Sequence, residues 1–326
     1  MDLSKIVQHA GLGRILYSAE AVSGGLMHKM YRAETEKGTF ALKMLNPEIM
    51  RRPTALKNIT AAEKAAHACE GKLPVIAAMM INGRQVQCFE NQYYMVFPWF
   101  DGKSIFPPHI QEKHCRKIGN ALGMLHGLNM QVDGLLLEEK HQEMTDWQEI
   151  VRDLPEADWA DRVKCALPEL IEKQEKAEHA RKTLSQYQVI SHRDLDPKNV
   201  LWNDEDFAII DWEAAGYVNP WQELAENIFY WADDGKGGLN QALFTAFYEG
   251  YRQWMDVQNA PLEAAFHASS FGTLEWLYYN VRRALGREAA SEEERQLGIR
   301  QVHYTLDSLQ GMDAKIGLSL VWIKEI

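Results

Sequence analysis

The sequence predicts an α+β chain of two lobes: a small N-terminal antiparallel-sheet lobe with one main helix over residues 1–97, then a larger, mostly helical lobe over 98–326. Three observations predict this. Short strand-like runs punctuated by turns fill the first hundred residues, and long periodicities of 3.6 residues replace them from Pro98 onwards. Charge divides at the same place: residues 1–99 carry 12 Lys and Arg against 8 Asp and Glu, a net +4, and the rest carry 23 against 38, a net −15. Tryptophan divides as well, with Trp99 in the first part and nine of the ten at or beyond Trp147.

After a short helical opening, Tyr17–Leu45 reads as strands joined by turns, with Glu36-Lys37-Gly38 as a hairpin turn. Pro53–Cys69 reads as the main helix, with Glu63 standing alone among alanines. Leu73–Ile81 and Val86–Phe97 read as two more strands separated by Asn82-Gly83, the strongest short hairpin signal, which brings the lobe to about five strands. In the second lobe, Cys115–Leu128 places apolar residues at 118, 121, 122, 125 and 128, a helical stripe. His126 lies on that apolar face and reads as a core histidine. Residues 131–185, rich in Glu, Lys and Gln, read as charged helices inserted in the lobe, and beyond Pro220 almost everything reads as helix.

With 46% hydrophobic and 10% aromatic residues the chain has ample material for a core, which excludes a disordered acidic tail. A net charge of −11 disfavours electrostatic attraction to nucleic acid or to an anionic membrane. Cys69, Cys88, Cys115 and Cys165 form no CxxC pair and have no histidines at zinc spacing, so they read as reduced core residues. The longest tract worth testing as a membrane span, Leu73–Gly83, is too short, and the first residues carry no continuous apolar signal core. A cytoplasmic location is expected.

The chemistry concentrates in Val189–Glu213. Two apolar runs, Tyr187–Ile190 and Phe207–Ile210, flank a polar loop in which His192-Arg193-Asp194 is followed five residues later by Asn199, and Asp211 ends the second run twelve residues after that. This spacing resembles the catalytic loop HRDxxxxN and the metal-binding aspartate of the protein-kinase-like fold. Phosphoryl transfer from ATP needs Mg²⁺ on phosphate oxygens, and hard cations take oxygen ligands, which suits Asn199 and Asp211. Asp194 is the expected base, oriented on the acceptor hydroxyl. His192 reads as a residue that fixes the loop.

Upstream parts stand in the order that such a site requires. Lys43, in Ala41-Leu42-Lys43, resembles the phosphate-pairing lysine, and Glu63 is expected to hold it by an ion pair. Ser23-Gly24-Gly25 offers backbone N–H groups to phosphates, although the full GxGxxG is missing. Val96–Phe100 matches a hinge, with Phe97 and Trp99 beside the adenine.

Around these residues the chain resembles the aminoglycoside phosphotransferase and choline kinase superfamily from Val22 to about Leu285. Asp211-Trp212-Glu213 matches the family's DxE, Pro220-Trp221-Gln222-Glu223-Leu224-Ala225 resembles its P followed by DLA, and Leu122–His126 resembles its helix ending in LH. Arg193, Asp196 and Glu223 depart from the family's pattern and bear on the subfamily. Only nine residues separate Asp211 from Trp221, which leaves no room for a peptide-binding activation segment. The resemblance implies an ATP- and Mg²⁺-dependent kinase acting on a hydroxyl of a small molecule. Its rivals are a catalytically silent nucleotide-binding protein of the same fold and, less favoured, a protein kinase. The acidic, aromatic second lobe suits a cationic acceptor such as an aminoglycoside, choline or a related amino-alcohol, with Glu213, Glu275 and Tyr279 as the expected contacts.

Overall fold

The computed structural model describes residues 2–22, 28–137, 145–204 and 206–326. The chain divides into two compact units, the first made of Met1–Phe106, Leu128–Leu137 and Ile190–Tyr217, the second of Pro107–Gly127, Glu138–Val189 and Val218–Ile326.

The first unit opens with helix α1 (Leu3–His9), followed by β1 (Glu20–Val22), β2 (Lys29–Thr35), β3 (Gly38–Met44), the single turn α2 (Pro47–Met50) and the main helix α3 (Ala55–Cys69). Strands β4 (Gln87–Phe89) and β5 (Gln92–Pro98) complete an antiparallel five-stranded sheet in the order β1-β2-β3-β5-β4. Alternation sorts its two faces. Leu42 and Met44 on β3 stand opposite Val96 and Tyr94 on β5, and all four pack with Ile6 and Val7 of α1. Lys43 stands opposite Met95, which packs with Leu45 and with Ile59 of α3. The later part of the unit holds β6 (Val189–Ser191) paired with β9 (Gly216–Val218), and the hairpin of β7 (Val200–Asn203) with β8 (Asp206–Ile209).

The Glu36-Lys37 turn joins β2 to β3 as the sequence predicts, closing on the pair Thr35–Gly38. The second hairpin lies elsewhere. It turns at Glu90 (φ 47°) and Asn91 (φ 65°), consecutive left-handed residues of the kind a two-residue hairpin needs, and it joins β4 to β5. Asn82 (φ 50°) and Gly83 (φ 74°) do reverse the chain, but they close only the bridge between Ile81 and Arg84. The segment before them forms no ladder because its backbone groups are engaged by other partners. Ile76 N–H donates to Ile209 O (3.0 Å), Ile209 N–H to Pro74 O (2.7 Å), and Met79 N–H to Val96 O (2.7 Å).

The second unit is helical: α4 (Glu112–Gly127), α5 (Trp147–Arg152), the 27-residue α6 (Asp158–Leu184), α7 (Pro220–Trp231), α8 (Gln241–Tyr251), α9 (Leu262–Ala268), α10 (Ser270–Ala284), α11 (Glu292–Gln310) and α12 (Met312–Glu325). One core gathers Trp147, Trp159, Leu274, Leu277, Val281, Val302 and Leu306 from α5, α6, α10 and α11. Helices α4 and α8 meet backbone to backbone. A Cβ on Gly119 would lie 2.1 Å from Phe247 O, on Gly123 2.5 Å from Tyr251 O, and on Gly250 2.3 Å from Arg116 O. Beside this contact His126 is fully buried, bonded to Tyr251 Oη and to Glu223 Oε2, each at 2.9 Å, the core histidine that its apolar face predicts.

All four cysteines are free, and Cys69 and Cys115 are buried. Cys88 and Cys165 are exposed, contrary to the expectation of four core residues, because each side chain falls on the solvent side of its element. Among the described residues no helix is long and apolar enough to cross a membrane.

Candidate nucleotide and phosphoryl-transfer site

The loop after β6 is fixed from both sides by His192, which is fully buried. The backbone N–H of Asp194 donates to its Nδ1 (3.3 Å), which leaves the ring proton on Nε2, and Nε2–H donates to Ile210 O (2.9 Å). The ring also meets Trp212 edge-on at 4.9 Å. Ile210 N–H in turn donates to Asn199 O (3.0 Å), so both ends of the loop are held by the chain leaving β8.

Within the loop, Asp196 caps a short 3₁₀ turn, Pro197–Asn199, by accepting from Lys198 N–H (2.8 Å). The turn delivers two side chains to Asp194. Asn199 Nδ2–H donates to Asp194 Oδ2 (2.9 Å) and Asp194 O (2.8 Å), and Lys198 Nζ–H donates to Asp194 Oδ1 (3.0 Å). Asp194 is thereby oriented while 37% of its side chain stays exposed, which suits a carboxylate that must meet another molecule. With its amide nitrogen engaged by Asp194, the Asn199 side chain has its carbonyl oxygen left to offer, an atom type that could hold a hard cation. Two residues here adopt the left-handed conformation without being glycine, Arg193 (φ 64°) and Asp211 (φ 62°), at about 1 kcal/mol or more each. The hydrogen bonds of His192 and Asn199 hold the chain around them. Gly216 leaves room for Arg193, whose Nη1 would lie 2.8 Å from a Cβ there.

Lys43, 168 positions before Asp211 in the chain, donates from Nζ to Asp211 Oδ1 (2.8 Å) and forms an ion pair with Glu213 Oε1. Burial pulls the ammonium pKa down, but Asp211 and Glu213 more than offset it, and the net direction is up. Glu213 has a second partner in His28. Asn46 N–H donates to His28 Nδ1 (2.9 Å), which turns Nε2 of the ring toward Glu213 Oε2 at 3.2 Å. Burial would raise the Glu213 carboxyl, yet the hydrogen bond from His28 and the charge of Lys43 outweigh it and hold the group at about 2.

Glu63 takes a different partner from the expected one. It is almost fully buried on α3, and its Oε2 accepts from Ala78 N–H (2.9 Å), while the ion-pair partners of Lys43 are Asp211 and Glu213. Burial pushes the Glu63 carboxyl up to about 7, against the pull of the Ala78 N–H and the Lys43 charge. The folded chain therefore favours the neutral acid. That contribution is complete below the ordinary carboxylate range and is lost as pH rises through 7. Glu63→Gln keeps an acceptor for Ala78 and never ionises, so its stability relative to the unsubstituted protein should rise by about 2.5 kcal/mol between pH 5 and pH 8. Urea denaturation at the two pH values measures this, and a difference that does not change with pH would remove the burial explanation.

The remaining expected residues are placed as follows. Ser23, Gly24 and Gly25 lie outside the described residues. Phe97 and Trp99 are half-buried at the end of β5, with Phe97 opposite Ala41, Trp99 N–H donating to Thr39 O (3.3 Å) and Arg32 5.3 Å above the Trp99 ring. Glu213, expected to face an acceptor, has both carboxylate oxygens engaged by Lys43 and His28. Glu275 and Tyr279 sit on α10 in the second unit. Burial pushes the Glu275 carboxyl up and Arg181 pulls it down, and the Tyr279 ring stacks on Trp276 at 5.6 Å. Sequence reasoning missed His28 and Lys198. Nothing local marks His28, whereas Lys198, four residues after Asp194, stood inside the motif and went unread.

Residues 18–257 match the phosphotransferase enzyme family. Among solved structures, 95% of the chain is similar to 97% of a spectinomycin phosphotransferase in complex with ADP and spectinomycin, at 16% identity and a TM-score of 0.72. A microcompartment-associated aminopropanol kinase is similar over 97% of this chain and 99% of its own, at 13% identity and a TM-score of 0.64. Choline kinase from Cryptosporidium parvum Iowa II is similar over 97% and 98%, at 12% identity and a TM-score of 0.57. No curated protein matches the sequence. At these identities the solved structures speak for the fold, which is protein-kinase-like, and the family match over most of the chain speaks for descent. The chain belongs to the phosphotransferase enzyme family, whose model covers most of its length.

Proposed function

We propose that this protein transfers the γ-phosphoryl group of ATP, in the presence of Mg²⁺, to a hydroxyl of a small cationic molecule such as an aminoglycoside, choline or a related amino-alcohol. The observation that carries the reading is the meeting of Lys43 with Asp211, at 2.8 Å, in the unit that also holds Asp194 and Asn199. An ammonium paired to a half-exposed carboxylate beside a fixed carboxylate–amide pair suits a triphosphate, a cation and a hydroxyl together.

Asp194 orients the hydroxyl and takes its proton as the acceptor oxygen bonds to the γ-phosphorus and the bond from that phosphorus to the ADP oxygen breaks. Lys43 supplies positive charge to the phosphates, with Glu213 and His28 setting its position. The Val96–Phe100 backbone, with Phe97 and Trp99, would receive the adenine, and Ser23, Gly24 and Gly25 the phosphates.

Asn199 and Asp211 fit Mg²⁺ by their chemistry, both offering hard oxygen. Among the described residues no group of three His, Cys, Asp or Glu side chains could hold a metal by itself, so Asn199 and Asp211 would hold Mg²⁺ together with the nucleotide and water. The cation would neutralise charge on the phosphates when bound.

The acceptor class is supported by two observations. Aminopropanol and choline, named for two similar kinases, each join a hydroxyl to a cationic nitrogen. The net charge of −15 beyond residue 99 favours a cation over an anion. Glu275 and Tyr279, one turn apart on α10, are the side chains we assign to that cation. A coupled assay of ADP release with Mg-ATP, run against aminoglycosides, choline, ethanolamine, homoserine, thiamine and neutral sugars, tests the reading. Stimulation by one of the cationic amino-alcohols is expected, and stimulation by a neutral sugar alone would overturn the acceptor assignment.

A further inference from the structure

We infer that Lys198 is a further catalytic residue of this chain, whose ammonium binds the γ-phosphoryl group beside Asp194 and follows it through transfer. The inference rests on the phosphotransferase reading above.

The reasoning starts from a charge problem. A carboxylate base has to lie next to a group whose oxygens carry negative charge, and Asp194 is joined in its loop by Asp196 and, after β8, by Asp211. Left alone, these carboxylates would repel the phosphoryl group they serve. Lys43 answers that repulsion at Asp211. Lys198 stands in the matching position at Asp194, with Nζ 3.0 Å from Asp194 Oδ1 and 3.8 Å from Asp196 Oδ2. The fields of Asp194, Asp196 and Asp211 all act on it.

The backbone of Lys198 is held firmly while its head is free to change partner. Its N–H donates to Asp196 Oδ1 (2.8 Å), its carbonyl accepts from Ser104 Oγ–H (3.0 Å), and the 3₁₀ turn Pro197–Asn199 fixes it between them. The side chain itself is half-exposed, so the ammonium has open solvent on one side and Asp194 on the other. An ion pair this exposed contributes little to stability. Its placement on the base is better explained by a task at the base: neutralising Asp194 when no phosphate is present, and sharing its three N–H donors with the phosphoryl oxygens when one arrives.

The test uses the full chain with Mg²⁺ and compares Lys198→Met and Lys198→Arg with the unsubstituted protein. Calorimetry with ADP and with a non-hydrolysable ATP analogue isolates the terminal phosphate. Lys198→Met should weaken the analogue about tenfold while ADP affinity stays within about twofold, and kcat should fall about 100-fold with the best acceptor found. Lys198→Arg should recover most of the preference for the analogue over ADP. An unchanged ratio of the two affinities in Lys198→Met overturns the inference, as does an equal loss of both, which would mark Lys198 as structural. If the unsubstituted protein binds neither nucleotide, the phosphotransferase reading itself fails and this inference with it.

Discussion

Asp194→Asn lowers phosphoryl transfer by roughly 10² to 10⁴-fold while nucleotide affinity stays within a few-fold, if Asp194 is the base that its surroundings describe. The substitution preserves shape and removes two things. An amide cannot take the proton from a hydroxyl, and its NH₂ group must face one of the donors that now meet a carboxylate oxygen, Lys198 Nζ on Oδ1 or Asn199 Nδ2 on Oδ2. Either orientation sets donor against donor. The damage stays local, because His192 and the Ile210–Asn199 backbone bond hold the loop independently of the carboxyl group. Steady-state kinetics together with nucleotide titration therefore separate chemistry from binding. Undiminished turnover would remove Asp194 from the mechanism, and equal loss of nucleotide binding would show that the loop had collapsed.

Gly119→Ala should destabilise the second unit by about 3 kcal/mol, the largest stability effect expected from so small a change. The added Cβ would lie 2.1 Å from Phe247 O and 3.1 Å from Phe247 Cα, and backbone atoms cannot swing aside as the end of a side chain can. To admit it, α4 and α8 would have to separate, loosening the neighbouring approaches at Gly123 and Gly250 and the buried His126–Tyr251–Glu223 network. Gly272→Ala is the matched control. Gly272 lies inside α10, is exposed and meets nothing within 4 Å, so alanine there should stabilise by about 0.5–1 kcal/mol through helix propensity. Urea denaturation of the two variants should give opposite signs. A neutral Gly119→Ala would mean that the two helices tolerate a wider spacing.

Short-range features were readable because they are written at fixed offsets. The loop that brings Asn199 onto Asp194 separates them by only five positions, and the hairpin at Glu36-Lys37 needs only its own residues to close. The helical stripe of Cys115–Leu128 identified His126 as a core residue on the same local grounds. The reading failed where two local signals competed for one backbone. Asn82-Gly83 is the better hairpin sequence and does turn the chain, but the residues before it are bonded to Ile209, Val96 and Glu63, so the sheet takes its hairpin at Glu90-Asn91.

By itself the sequence determined the two kinds of secondary structure and their order, the polar loop between two strands, and the residue types suited to phosphoryl transfer, because each depends on periodicity or on spacing of a few residues. Only the tertiary structure decided who pairs with whom. It gave Lys43 to Asp211 and Glu213 instead of Glu63, joined His28 to Glu213, and left Glu63 as a buried acid on the N–H of Ala78. It also brought Gly119 and Gly250 to the contact where helix backbones touch. Partners separated by up to 185 positions, as His28 and Glu213 are, meet through strand register, helix packing and the balance of burial against charge, and no local pattern in the chain encodes that sum.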